Sequence, residues 1–293
     1  MALFLVFLSI VGGAVILFLG VCFFKVKKLF FGKSTSKNPK SGYFKIAPQR
    51  VVWRSTLLGF ISFREYTIDE ADYDSFTIIN RNFAKDKRYA YYQQLYFSVD
   101  LSFFEPINSY YSKDQHFIYF KNVRLPDSNA ANVAEIEPFI VADAQNVYYQ
   151  STLISRHASQ FTKISHYPNI YKAPDVVFFD YHIFEEADAA TFEQINSSVS
   201  QNYFRDKTNV YFFTEKLKQA DSKTFMPLNT NYGRDKKRIF FQEHSIKEAD
   251  YDSFNVLDTD NALDKNNRFF QGKKQLIQAS EKGTIENPAS NTD

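Results

Sequence analysis

The chain has 293 residues, enough for one large domain or two small ones, and it carries 32 Phe, 19 Tyr and 1 Trp but only 9 Gly and 9 Pro. That composition excludes a collagen-like or Gly-rich linker chain and leans towards β-structure, because flat rings pack well across a pleated sheet. The net charge of +2 is unevenly spread: residues 25–64 hold ten basic side chains and no acid, leaving 25 basic against 33 acidic residues in 65–293, so the body is acidic and nucleic acid is not expected as a partner.

Leu3 to Phe24 is a 22-residue run of apolar or small residues, and roughly 20 such residues span a bilayer core. A cleaved signal peptide would need basic residues before a shorter run and a small-x-small cleavage site, and neither is present. Leu19-Gly20-Val21-Cys22 faintly resembles a lipoprotein cleavage box, but Val21 is bulky for its position and Phe23-Phe24 continue the apolar run. The run therefore reads as a transmembrane helix, with residues 1–32 forming the anchor and its basic flank. Cys22 is the one cysteine, which excludes an intrachain disulfide. Lys25, Lys27 and Lys28 follow the run, so the positive-inside rule places the large domain in the cytoplasm of a bacterial cell. An extracytoplasmic domain is the alternative, because long domains translocate despite their charges. Residues 33–42 read as a flexible tether, 43–278 as the repeat domain and 279–293 as a disordered tail.

Paired aromatics begin at residues 91, 119, 148, 178, 211, 240 and 269, at spacings of 28, 29, 30, 33, 29 and 29. Five residues before a pair stands an aspartate: Asp86 before Tyr91, Asp114 before Tyr119, Asp143 before Tyr148, Asp206 before Tyr211, Asp235 before Phe240 and Asp264 before Phe269. In four copies an Ala-Asp-x-x-Ser/Thr-Phe segment precedes it, at Ala71, Ala187, Ala220 and Ala249. Val51-Val52-Trp53 marks a degenerate eighth copy. Such a period indicates stacked supersecondary units. Asp-Lys-x-x between aromatic stretches reads as a hairpin turn, with Asp bonding amides two residues on and Asn266-Asn267 or Thr208-Asn209 taking the left-handed conformation. The aromatic pair opens the return strand, one ring facing the core and one facing out or onto the next repeat. Ala-Asp-x-x-Ser/Thr-Phe reads as a capped helical turn with Phe as an anchor. One unit is then a hairpin, a short third strand such as His244 to Lys247, and that turn. The expected fold is mainly β: hairpin repeats of about 29 residues in an elongated or curved solenoid-like array, since each unit is too small to bury its own rings. A β-propeller is the alternative, although about 29 residues suit only a three-stranded blade.

At these residues the chain resembles the DKNYY family, a tandem-repeat class found chiefly in bacteria. Asp264-Lys265-Asn266-Asn267-Arg268-Phe269-Phe270 and Asp206-Lys207-Thr208-Asn209-Val210-Tyr211-Phe212 match its motif, and Asp86-Lys87 with Tyr91-Tyr92 agrees. The resemblance covers about residues 66–275, with Ala173-Pro174 and Asp143-Ala144 departing from the pattern. It implies a surface or envelope protein and brings no catalytic residues.

The repeated aspartates read as solvated turn residues, because Asp ligands for Ca²⁺ come in dense loops of several oxygens. The five histidines, at 116, 157, 166, 182 and 244, form no ligand pair, and no nucleophile elbow or phosphate-cradling glycine loop is present. No enzyme and no cofactor are expected. The expectation is a membrane-anchored binding module whose partners are the bilayer, through residues 3–24, and another protein. One version is an immunity protein against a secreted antibacterial toxin. The alternative is an envelope structural or carbohydrate-binding protein whose outward rings, such as Tyr92 and Tyr149, stack on sugars.

Overall fold

The computed structural model describes residues 41–57, 62–195 and 198–275. The span at 3–24, its flank, the tether up to residue 40 and the tail from 279 lie outside the described residues. Among the described residues no helix is long and apolar enough to cross a membrane.

The chain divides into two compact units, Met1–Arg124 and Leu125–Asp293. The first holds three small antiparallel sheets and the second holds five, each a meander of strands in chain order. The first sheet has three strands, Gly42–Ile46, Arg50–Leu57 and Ser62–Thr67, and the other seven have four. In the second sheet these are Thr77–Ile78, Phe83–Lys85, Ala90–Tyr92 and Leu95–Phe97. In the seventh they are Met226–Pro227, Tyr232–Arg234, Ile239–Phe241 and His244–Ser245. The expected three-stranded unit is therefore corrected to four. A fourth strand fits a repeat of this length because the strands are only two to four residues long, which also removes the length argument against a propeller blade.

The paired aromatics work as the period-2 alternation of a strand requires. In the second sheet Ala84 pairs with Tyr91 and Phe83 with Tyr92, so Tyr91 and Tyr92 point to opposite faces. Tyr91 packs with Trp53 and Phe76 towards the first sheet, whereas Tyr92 packs with Phe104 and Tyr119 towards the third. In the second unit Phe240 packs with Tyr203 and Phe225, and Phe241 with Tyr232 and Phe269. Within each unit, then, each inner sheet buries one ring against its predecessor and one against its successor. The anchor Phe of the capped turn completes each layer, with Phe225 5.0 Å from Tyr203 and 5.9 Å from Phe240, centroid to centroid. These tilted ring pairs add about 0.5–1.5 kcal/mol each beyond the area they bury.

The eighth sheet departs from this rule on its outer face. Tyr232, Ile239, Phe241 and Ile246 face the eighth sheet from the seventh and are buried. At the same repeat positions the eighth sheet carries Asn261, Arg268, Phe270 and Gln275, and Phe270 is 45% exposed. Three of four apolar positions have turned polar, as a terminal repeat of a stacked array requires. On the outer face of the first sheet, Arg50 and Arg54 both pair with Glu65, at 2.9 and 2.8 Å. These two arginines are part of the folded sheet.

The left-handed residues are not those of the hairpin tip. Positive φ falls just after the aromatic pair, at Gln93, Lys121, Gln150, Asp180, Phe213, Gln242 and Gln271, with φ between 43° and 58°. The Asp-Lys tip closes through an amide-to-carbonyl bond instead, as from Asp86 to Tyr89 at 2.9 Å. Gly272 has φ +71°, and a Cβ there would lie 2.5 Å from Phe241 Cβ. Gly272→Ala is therefore expected to cost about 2 kcal/mol, read as a lower midpoint in urea.

Candidate functional site

Each of the six motif aspartates is between 1% and 6% exposed, so the expectation of solvated turns is overturned. The cause is the number of donors that converge on each carboxylate. Oδ1 accepts from the amides two and three residues on, at 2.7–2.8 Å in all six copies. Oδ2 accepts from a backbone amide of the preceding turn, that of Asp72, Asp100, Asn129, Asp188, Asp221 or Asp250, at 2.8–3.2 Å. Where the pair begins with Tyr, its hydroxyl also donates to Oδ2, from Tyr91, Tyr119, Tyr148 and Tyr211 at 2.7, 2.8, 3.2 and 2.7 Å. Where it begins with Phe, another donor approaches: Arg238 Nη1 lies 3.8 Å from Asp235 Oδ2, and Asn267 Nδ2 donates to Asp264 Oδ2 at 3.4 Å.

Burial raises the pKa of such a carboxyl, but the converging N–H and O–H groups outweigh it. Asp86, Asp114, Asp143, Asp206 and Asp264 are all held below the usual carboxylate range. Burial first, and the neighbouring carboxylate next, push Tyr91, Tyr119 and Tyr211 well above the normal phenol value. Tyr211→Phe is expected to cost about 1 kcal/mol, and Phe240→Tyr to add about the same by supplying the missing donor; thermal melts of the two variants should shift in opposite directions.

The two motifs of a repeat are halves of one clasp. The lysine after the hub aspartate pairs with the aspartate of the capped turn: Lys87 with Asp72 at 2.8 Å, Lys207 with Asp188 at 2.5 Å, Lys236 with Asp221 at 2.7 Å and Lys265 with Asp250 at 2.9 Å. The same lysines' backbone amides donate to Ser75, Thr191, Thr224 and Ser253 at 3.0–3.2 Å. The turn itself closes on its aspartate, as where the amides of Thr224 and Phe225 donate to Asp221 O at 3.2 and 3.0 Å. This is a single isolated turn capped by Asp, with the following Phe buried as the anchor in three of the four copies. The ammonium groups are exposed, so Lys207→Met is expected to lower the melting temperature only slightly, by an amount that shrinks as salt is added.

A second Asx site, six residues before four of the six hubs, escaped the sequence reading. Asn80, Asn108, Asn229 and Asp258 accept from the amides two and three residues on, at 2.6–2.9 Å. The constant offset of six from Asp86, Asp114, Asp235 and Asp264 is the signal that could have found it.

The divergent fifth sheet replaces the hub from another position. Asp175, two residues after Ala173, accepts from Ser155 Oγ at 2.6 Å and the Arg156 amide at 3.0 Å, and His157 Nδ1 lies 3.2 Å away. A Ser, a His and an Asp thus meet, but the serine hydroxyl donates to the carboxylate and accepts the His157 amide at 3.0 Å. No imidazole is placed to take its proton, so this is a turn lock and not a nucleophile with its base. Among the described residues no three His, Cys, Asp or Glu side chains are grouped as a metal site.

The second rings of the pairs differ in exposure, and Phe270 is the most open of those described. Tyr92 is 4% exposed, and Tyr149 is partly covered by Phe178 and Tyr181 at 5.2 and 5.7 Å. Exposed apolar side chains include Leu95, Tyr96, Val123 and Ile183 on the last strands of three sheets. The corresponding strands of the last three sheets are polar: Glu215–Lys216, His244–Ser245 and Lys273–Lys274.

The chain matches the sequence model of the DKNYY family over residues 96–244, just over half its length. No curated protein and no solved structure matches it. The hub geometry extends past the matched range on both sides, since Asp86 and Asp264 are held as the inner copies are.

Proposed function

Because the chain belongs to the DKNYY family, and the motif residues of that repeat are occupied in holding it together, we propose that it is a non-catalytic binding module presented by an N-terminal membrane anchor. One observation carries this reading: the recurring aspartates and the first rings of the aromatic pairs are buried and occupied within the fold, while apolar side chains that do not recur from copy to copy are exposed on edge strands. Exposed apolar residues on several edge strands, Leu95, Tyr96, Val123 and Ile183, suit a protein partner. The polar outer face of the eighth sheet supports an open, solenoid-like stack within the second unit, because a closed ring has no outer face to cap. The anchor is the apolar run at 3–24, and the lysines that follow it favour a cytoplasmic repeat domain.

The particular version is immunity against a secreted antibacterial toxin. It requires a toxin gene beside this one and self-poisoning when this gene alone is deleted. Deletion strains that survive exposure to that toxin as well as the parent would overturn it. Alkaline phosphatase fused after Asp293 reads the orientation: it stays inactive if the repeats are cytoplasmic, and activity would move the partner search to the envelope.

A further inference from the structure

In the first unit three turns of the second and third sheets surround a groove: Asn80-Arg81-Asn82, Tyr92-Gln93 and the segment from Pro106 to Tyr110. Its volume is about 670 Å³, within the roughly 300–1,000 Å³ of small-molecule sites. It is lined by no carboxylate. Arg81 lines it, and among the described residues the guanidinium has no ion pair, hydrogen bond or ring contact.

The polar atoms left for a ligand are mostly donors. Asn80 Oδ1 is occupied by the amides of Asn82 and Phe83, at 2.9 and 2.8 Å, which leaves its Nδ2 to donate. Asn82 is engaged on both sides, donating to Ser109 O at 3.0 Å and accepting from Gln93 Nε2 at 3.4 Å. Gln93 keeps its carbonyl oxygen as an acceptor. The same place in the second unit is bridged: Asn229 Nδ2 donates to Asp258 O of the next repeat at 2.6 Å. Asn80 makes no such bond to the next repeat among the described residues.

A guanidinium binds a carboxylate or phosphate through paired N–H groups. Carboxamides both donate and accept, which suits hydroxyls. The groove is far larger than a bare ion needs, a water occupying only about 30 Å³. We propose that this groove binds an acidic sugar, its carboxylate or phosphate on Arg81 and Asn80 Nδ2 and its hydroxyls on Gln93. This does not depend on the protein-binding reading above.

The fold supplies a reporter. Trp53 is the one tryptophan, and its indole N–H donates to the Arg81 carbonyl at 3.3 Å. The full chain in detergent micelles would be titrated with glucuronate, glucose 6-phosphate, glucose and inorganic phosphate, following tryptophan fluorescence and heat. The expected result is saturable binding of at least one acidic sugar, with glucose and inorganic phosphate tenfold or more weaker. Whichever acid binds more tightly identifies the source of the charge. Arg81→Gln, at an exposed position, should weaken binding at least tenfold with the melting temperature unchanged, whereas Arg268→Gln should bind as wild type. Absence of binding by both acidic sugars would overturn the proposal. So would glucose or inorganic phosphate binding as tightly as they do, or unaltered affinity in Arg81→Gln.

Discussion

Asp206→Ala is expected to destabilise the protein by about 3–5 kcal/mol, because it leaves several buried donors without an acceptor. The amides of Thr208 and Asn209, the Tyr211 hydroxyl and the Asp188 amide all donate to this one carboxylate, at 2.8, 2.7, 2.7 and 3.2 Å. The residue is 3% exposed, so water replaces those bonds poorly. A urea titration of wild type and variant measures the loss, and a change below about 1 kcal/mol would mean that the hub is an ordinary surface turn. The hub carboxylates of Asp86, Asp114, Asp143, Asp206 and Asp264 also set the response to acid. Their folded-state pKa values lie below the unfolded value of about 3.9, so their contribution is complete above that pH. It is lost as pH falls through the folded values. The exposed clasp follows the same sign: Asp221 is lowered to about 2, chiefly by the Lys236 ammonium. Stability should therefore hold from neutral pH down to about 4 and fall steeply below it. Asp206→Ala should show a shallower fall.

The second large effect separates two phenylalanines at one repeat position. Phe241 is 8% exposed between the seventh and eighth sheets, and Phe270 is 45% exposed on the outer face of the eighth. Phe241→Ala is expected to cost about 3–4 kcal/mol through lost burial and a cavity. Phe270→Ala should cost less than about 1 kcal/mol. Equal losses would mean that Phe270 is covered, and the eighth sheet would not be the polar cap described above.

The period, the β class and the hairpin were legible because each rests on short-range chemistry. An aspartate five residues before an aromatic pair, recurring at about 29 residues, can hardly mean anything but a turn followed by a return strand. The side-chain bonds of Asp72, Asp188, Asp221 and Asp250 to the turns they cap could also be read in advance, since an N-capping carboxylate reaches only its near neighbours. Burial of the hub could not. Asp86 looks like any polar turn residue until the Asp72 amide, 14 positions upstream, is brought against its second oxygen. Lys87, next to it in the sequence, pairs with Asp72 across the clasp. The fourth strand was missed because Thr77–Ile78 and Met226–Pro227 are too short to show alternation. Asp175 was missed because it stands two residues beyond the place where the motif put an aspartate. The groove at Arg81 is least legible of all, since it depends on a bond that Asn229 makes and Asn80 does not.

Hydrogen exchange at the turn amides tests the central claim, that the recurring aspartates are buried hubs holding one repeat turn to the next. The amides of Thr208, Asn209 and Asp188 should exchange as slowly as those of the adjoining strand Val210–Phe212, opening only when the sheet unfolds. Exchange of those three at the rate of an unprotected loop, while the strand stays protected, would contradict it.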